Sequence, residues 1–131
     1  MNKGFKFGLD LNGNVVMNEN CIYDESIGSL CCSIRDGIAY IYNFGIQYNY
    51  CGKGNGKKLL SSAVKHILKL GVNEIKIDAC GYMEGQKCFD NITIAKFYKR
   101  VFVENNSKNI KIKVFKSRKR IYDYYTVNGE F

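Results

Sequence analysis

Apolar and polar residues alternate along the first third of the chain, and then the period changes. In "GFKFGLDLNGNVVM" Phe5, Phe7, Leu9 and Leu11 take every second position, the pattern of a strand with one buried face. Asn12-Gly13 follows, a pair that tolerates positive φ and predicts a two-residue hairpin turn. "GSLCCSIR" and "IAYIYNFGIQ" flank Asp36-Gly37 with the same chemistry and predict a second hairpin. The stretch between the two, roughly residues 18–27, is short and irregular.

From Lys57 the spacing becomes helical. Leu59, Leu60, Ala63, Val64, Ile67 and Leu68 form one stripe, and Gly71 suits the position just past a helix end, so the pattern predicts a helix over about 57–70. His66 lies at the margin of the stripe and reads as a boundary residue. "VNEIKIDAC" returns to period two, with Ile75 and Ile77 on one face. After the loop "GYMEGQKCFD", the run "NITIAKFYKRVF" is helical again over about 91–101. Asn91 can cap it, and Ile94, Phe97, Tyr98 and Val101 share a face. "NIKIKVFK" and "RIYDYYTV" are two closing strands around a basic tip, "KSRKR". Strands, helix, strand, helix and two strands predict an α/β domain of the mixed α+β kind: one sheet with helices packed on it, a single domain over 1–131.

Composition narrows the class. Of 131 residues, 46% are apolar and 14% aromatic, enough for a core and against wholesale disorder. No run of about 18 apolar residues would span a membrane, and "MNKGFKFGLDLNGN" lacks the apolar core of a secretory signal, so the expectation is a cytoplasmic protein. Cys21, Cys31, Cys32, Cys51, Cys80 and Cys88 include no Cys-x-x-Cys and read as reduced, mostly buried small hydrophobes. The single histidine cannot anchor a histidine-based metal site, and no metal is expected. A net charge of +8 favours an anionic partner: nucleic acid, an acidic protein, or a phosphorylated small molecule. "KSRKR", Lys116 to Arg120, is either a solvated tip or, with Tyr122, Tyr124 and Tyr125, an element for single-stranded nucleic acid or a protein partner.

The candidate chemistry sits before the first helix. Gly52, Gly54 and Gly56 alternate, with Lys53 among them and Lys57 and Lys58 after. Glycines in a strand-to-helix loop let a ligand approach the backbone amides. The helix N-terminus adds unpaired N–H donors and partial positive charge, so the loop reads as a phosphate or pyrophosphate cradle. The nucleoside-triphosphate loop does not fit: Cys51 stands five positions before Gly56 and Lys58 stands where Ser or Thr is needed. The dinucleotide pattern fails as well, because its third glycine would fall on Lys57 or Leu59.

The stretch instead resembles the acetyl-CoA-binding motif of the GCN5-related N-acetyltransferase (GNAT) superfamily, Gln/Arg-x-x-Gly-x-Gly/Ala between the fourth strand and a long helix. It maps onto Cys51, Gly52, Lys53, Gly54, Asn55 and Gly56. The family's next motif, close to Asn-x-x-Ala-x-x-Phe-Tyr, is met by Asn91, Ala95, Phe97 and Tyr98 with one extra residue between Asn and Ala and one fewer between Ala and Phe. The resemblance covers residues 38–103. Three departures stand out. Cys51 replaces the usual Gln or Arg, Phe102-Val103 replaces a closing Gly-Phe, and the space between the first hairpin and "GSLCC" is too short for two ordinary helices. The implied fold is therefore GNAT-like with the first two family helices reduced or absent.

That resemblance implies transfer of an acetyl group from acetyl-CoA, a co-substrate, to a primary amine that attacks the thioester directly. It implies a backbone N–H at or near Ile46 as donor to the carbonyl oxygen, and Tyr98 as the acid for the departing thiolate. The cofactor contacts would be Phe44, Ile46, Cys51, Gly52, Lys53, Gly54, Asn55, Gly56, Lys57, Asn91 and Tyr98. The base is the open point. The family often carries a Glu on the fourth strand, and "IAYIYNFGIQ" has no carboxylate. Asp78 on the next strand and Asp36 at the hairpin tip are candidates, beside a water chain or an acceptor that arrives neutral. From the residues alone Tyr98 is also a core tyrosine, Asn91 a cap, and Cys51 either a small loop residue or a thiol of lowered pKa. The acceptor is left open between a small amine, a peptide terminus, a lysine and an amino sugar. The alternative reading is a non-catalytic CoA-binding or basic nucleic-acid- or protein-binding module on the same fold. Edge strands in such a fold allow a homodimer.

Overall fold

The computed structural model describes residues 3–18, 27–79, 91–115 and 124–131. Seven strands form one sheet: β1 Lys3–Leu9, β2 Val15–Asn18, β3 Gly28–Arg35, β4 Ile38–Ile46, β5 Glu74–Ala79, β6 Asn109–Phe115 and β7 Tyr124–Glu130. Their order is β2-β1-β3-β4-β5-β7-β6. Among the described strands, β4 and β5 are the only neighbours that run parallel, and they are joined by α1, Asn55–Lys69. Helix α2, Asn91–Glu104, leads from β5 to β6. Both crossovers advance in the same direction along the sheet, and right-handed crossovers then place both helices on one face.

Strand alternation puts the apolar set under those helices. Paired neighbours Phe5, Cys32, Ile41, Ile77 and Val127 form one continuous buried row across five strands. Helix α1 buries Leu59, Leu60, Ala63, Val64 and Ile67 against it, and α2 buries Ala95, Tyr98, Val101 and Phe102. His66 meets this core edge-on, its ring 5.2 Å from Phe5 and 5.5 Å from Phe7. The opposite face carries a polar row, Ser33, Tyr40, Lys76, Asn128 and Lys111, and among the described residues no helix covers it. The mixed α/β architecture with two helices is as expected.

The local differences have physical reasons. The first hairpin does not close on a two-residue turn. Asp10 Oδ1 accepts the N–H groups of Asn12 and Asn14, the Asp10 carbonyl accepts from Gly13, and only Gly13 takes positive φ, 78°. Leu11 therefore sits in the turn, 70% exposed, and not on the buried face with Leu9. The second hairpin does close on two residues of positive φ, Asp36 and Gly37. Helix α1 starts two residues before the expected Lys57, because Asn55 and Gly56 join its first turn without contributing to the apolar stripe. Helix α2 runs on to Glu104. It ends where Asn106 turns to φ 67° and the Ser107 N–H reaches back to the Phe102 carbonyl. The "KSRKR" tip, Tyr122, the loop "GYMEGQKCFD", Cys21, Cys80 and Cys88 lie outside the described residues. Among the described residues no helix is long and apolar enough to cross a membrane.

Candidate active site

The site grows from one irregularity in β4. Register with β3 shifts between Ser29 and Cys31, so that Asn43 and Phe44 together oppose Leu30. Asn43 takes φ 51°, the left-handed conformation that this bulge needs and that Asn tolerates better than most residues. The extra residue restores the helix-side orientation to Phe44 and Ile46, which would otherwise face the polar side. Beyond the bulge β4 also loses its other neighbour. It pairs with β5 only over Ala39–Ile41 and Ile75–Ile77, while β4 continues to Ile46. A gap opens between the two parallel strands.

The Ile46 amide faces that gap. The Gln47 N–H donates to the Ile27 carbonyl at 2.8 Å, one bond of the antiparallel ladder, while the Ile27 N–H turns to the Leu9 carbonyl at 3.0 Å. Bonded and non-bonded pairs alternate, so Ile46, opposite Gly28, directs its N–H away from β3. Gly28 is what allows this close approach: a Cβ there would lie 2.4 Å from Ile46 Cδ1 and 3.0 Å from the Gly45 carbonyl oxygen.

The glycine loop closes the end of the gap. Tyr48–Tyr50 forms a short 3-10 turn, and Asn55 Nδ2 donates to the Tyr50 carbonyl at 3.1 Å. Cys51 Sγ lies 3.5 Å from the Ile46 carbonyl oxygen and 3.6 Å from that of Gln47, bracing the turn from inside. Gly52 and Gly54 take φ 75° and 83°, and a Cβ on either would meet nothing within 4 Å. Their surroundings are open, so what demands glycine at both is the backbone conformation. Gly54 caps α1 with no side-chain bond. The Lys58 N–H is the first to find an intrahelical acceptor, which leaves the amides of Asn55, Gly56 and Lys57 as the unpaired first-turn donors.

Helix α2 supplies the other wall. A Cβ on Gly56 would lie 3.5 Å from Phe97 Cζ, 3.7 Å from Ile46 Cγ1 and 3.8 Å from Phe44 Cζ, so α1, β4 and α2 converge at this point. The Tyr98 ring stacks on Phe44, with centroids 5.9 Å apart, and is 6% exposed. Phe44, Ile46, Gly52, Gly54, Asn55, Gly56 and Tyr98 are thus brought together.

Other expected site residues sit elsewhere. The Lys57 side chain forms an ion pair with Glu104 at 3.1 Å, and Lys58 Nζ donates to the Gly13 carbonyl in the first hairpin. Of the three lysines read as charging the loop, Lys53 is the one these contacts leave within it, and its side chain is exposed. Asn91 opens α2 as its first helical residue, so the cap position falls one residue earlier, outside the described residues. Asp78 lies at the end of β5 on the polar face, and its Oδ1 accepts from Thr126 Oγ1 at 2.7 Å. Asp36 caps the far end of β4. Ten residues of extended chain at about 3.3 Å each separate it from Ile46. Gly28 and Asn43 were not foreseen. An asparagine interrupting an apolar strand was the signal for the second, whereas nothing local marks the first. Burial, with Cys31 alongside, pushes the Cys32 thiol up to about 12.

No protein-family model matches the sequence, and no curated protein matches it either. In three dimensions the chain is similar to an acetyltransferase from Bacillus cereus at a TM-score of 0.66 and 11% identity, over 99% of this chain and 74% of that one. It is similar to a protein assigned to the GNAT family of acetyltransferases from Desulfovibrio desulfuricans at a TM-score of 0.60 and 17% identity, over 97% and 69%. It is also similar to Arabidopsis thaliana Naa50 in complex with the bisubstrate analogue CoA-Ac-MVNAL, at a TM-score of 0.58 and 21% identity, over 89% and 72%. Likeness at such identities is likeness of fold, and the fold of this chain is that of the GCN5-related N-acetyltransferases.

Proposed function

We propose that the protein is an acetyl-CoA-dependent N-acetyltransferase acting on a primary amine. One observation carries the reading: a bulged β4 parts from parallel β5, and the gap ends at a glycine loop with unpaired helix amides. The residues fit the co-substrate. The left-handed backbone at Gly52 and Gly54 presents amides with no side chain in the way, which suits a pyrophosphate, and Lys53 adds charge. Phe44, Ile46 and Phe97 offer apolar walls for the pantetheine arm. Acetyl-CoA supplies an activated thioester carbonyl. The Ile46 N–H is the donor for the negative charge that grows on its oxygen. Tyr98, held against Phe44, is the acid for the departing thiolate. Cys51 and Lys57 belong to the scaffold of the loop, through the 3-10 turn and through Glu104, and Asn91 to the start of α2.

The acceptor amine must be neutral to attack, and an ordinary lysine amine titrates near ~10.4. Asp78, at the end of β5 beside the gap, is the candidate base acting through water; Asp36 is too distant. The acceptor reaches the gap from the polar face, since Phe44, Phe97 and Tyr98 close the helix side.

Calorimetric titration with acetyl-CoA, and with dephospho-CoA for comparison, tests the donor side. Micromolar binding by the wild type and loss of it in Gly54→Glu are expected, because a side chain at φ 83° is strained and the new carboxylate repels phosphate. Undiminished binding by Gly54→Glu would refute the loop assignment. Wild-type binding without transfer to any amine panel would leave the module reading in place of the enzyme.

A further inference from the structure

Strand β6 is the last in the sheet, and its two faces are chemically opposite. Lys111 and Lys113 project on the polar face, paired across to Asn128 and Thr126; the acid on that face of β7, Glu130, stands opposite Asn109. Ile110, Ile112 and Val114 project on the helix face; Ile110 packs partly against the core, whereas Ile112 is 37% and Val114 46% exposed. On α2 itself, Ile92 and Val103 fall on the side turned from α1 by helical phase, and they are 37% and 56% exposed. Helix and strand run antiparallel here, so Val103 is level with the start of β6 and Ile92 with its end. Of the nine large apolar side chains that stand exposed among the described residues, four therefore gather along this one edge. An open strand edge beside an apolar strip is a template for an added strand.

A second copy of the chain does not suit it. A two-fold axis would pair β6 antiparallel with itself, and matching faces would set residues 109, 111, 113 and 115 against one another. Every such register that pairs more than three residues places a lysine opposite a lysine: Lys111 with itself, Lys111 with Lys113, or Lys113 with itself. Like charges directly opposite destabilise an antiparallel pair, and here there are no acids on the strand to relieve them.

We infer that β6 is a docking edge for an extended peptide segment in which apolar residues alternate with Asp or Glu. Added as an eighth strand, such a segment lays its apolar residues over Ile112, Val114, Ile92 and Val103, and its carboxylates opposite Lys111 and Lys113. Backbone pairing supplies affinity, and the lysines select the partner's charge. The site is remote from the gap between β4 and β5 and is independent of the acetyltransferase reading.

The test uses the full chain and a fluorescein-labelled synthetic peptide alternating Val with Glu, followed by anisotropy. Three results are expected: saturable binding of this peptide, none of the matching Val/Lys peptide, and none of a Val/Glu peptide N-methylated at alternate residues. Lys111→Glu combined with Lys113→Glu, at exposed positions that leave the fold intact by circular dichroism, is expected to weaken the Val/Glu peptide about tenfold or more and to admit the Val/Lys peptide. Failure of the Val/Glu peptide to bind, indifference to the charge reversal, or indifference to N-methylation would overturn the inference. So would sedimentation showing a dimer of the free protein that the peptide does not dissociate.

Discussion

Under the proposed function, one side chain, Tyr98, answers to two demands. Its ring belongs to the buried face of α2 and stacks on Phe44, as helical periodicity alone would have it. The same packing fixes its position against the bulged strand, which is what an acid acting on a leaving group requires. Tyr98→Phe keeps the ring and removes the proton. Turnover is expected to fall by roughly 10²-fold, the usual range for losing a positioned acid, while CoA affinity by calorimetry stays within twofold, or about 0.4 kcal/mol. Unchanged turnover would return Tyr98 to the core. Gly28 makes the complementary point. Gly28→Ala drives a methyl into Ile46, and a loss of about 1–3 kcal/mol in denaturant unfolding is expected together with reduced transfer. Gly45→Ala, where a Cβ meets nothing within 4 Å, is the control and should leave both near wild type.

At the scale of elements, the working geometry comes from β4. An uninterrupted strand would have turned Phe44 and Ile46 to the polar face and left Asn43 and Gly45 toward the helices. Asn43→Gly keeps the left-handed residue available and is expected to preserve both stability and CoA binding. Asn43→Val puts a β-branched side chain at φ 51°, and a cost of about 1–2 kcal/mol in thermal unfolding, with weakened CoA binding, is expected. Equal behaviour of the two variants would mean that the bulge does not set the site. The strand and helix assignments themselves were legible, since period two and period 3.6 report burial directly. The second hairpin was legible because Asp36 and Gly37 carry the conformational demand in their own identities. The first was not, because the Asp10 side chain organises that turn from two and four residues away.

At the scale of the whole molecule, stability carries a pH signature from the core. Cys32 lies in the buried row between Phe5 and Ile41, and burial lifts its thiol from an ordinary 9.0 to about 12. The folded state then holds this proton more tightly than the unfolded chain does. The stabilisation is complete below about 9.0 and is lost as pH rises from there toward about 12. Across that window this group alone is expected to contribute a decline of about 1.4 kcal/mol per pH unit. Urea unfolding of wild type and Cys32→Val between pH 8 and pH 10.5 reads the difference in slope. Parallel curves would show that Cys32 does not set it.

By itself the sequence determined the order and kind of the elements, the apolar stripes of the two helices, the glycine loop before a helix, and the Phe97-Tyr98 pair on the next one. Those features are local: each follows from spacing or from the conformational range of one or two residues. Tertiary structure alone decided where the long side chains of Lys57 and Lys58 go, that Asp36 and Asp78 end up at opposite ends of the sheet, that Gly28 lies under Ile46, and that the two described helices share one face of the sheet while the polar row lies on the other. Each of these depends on which distant segment becomes a neighbour, and that is set by strand order and by a single extra residue in β4. A chain read one position at a time does not contain that information until it is folded.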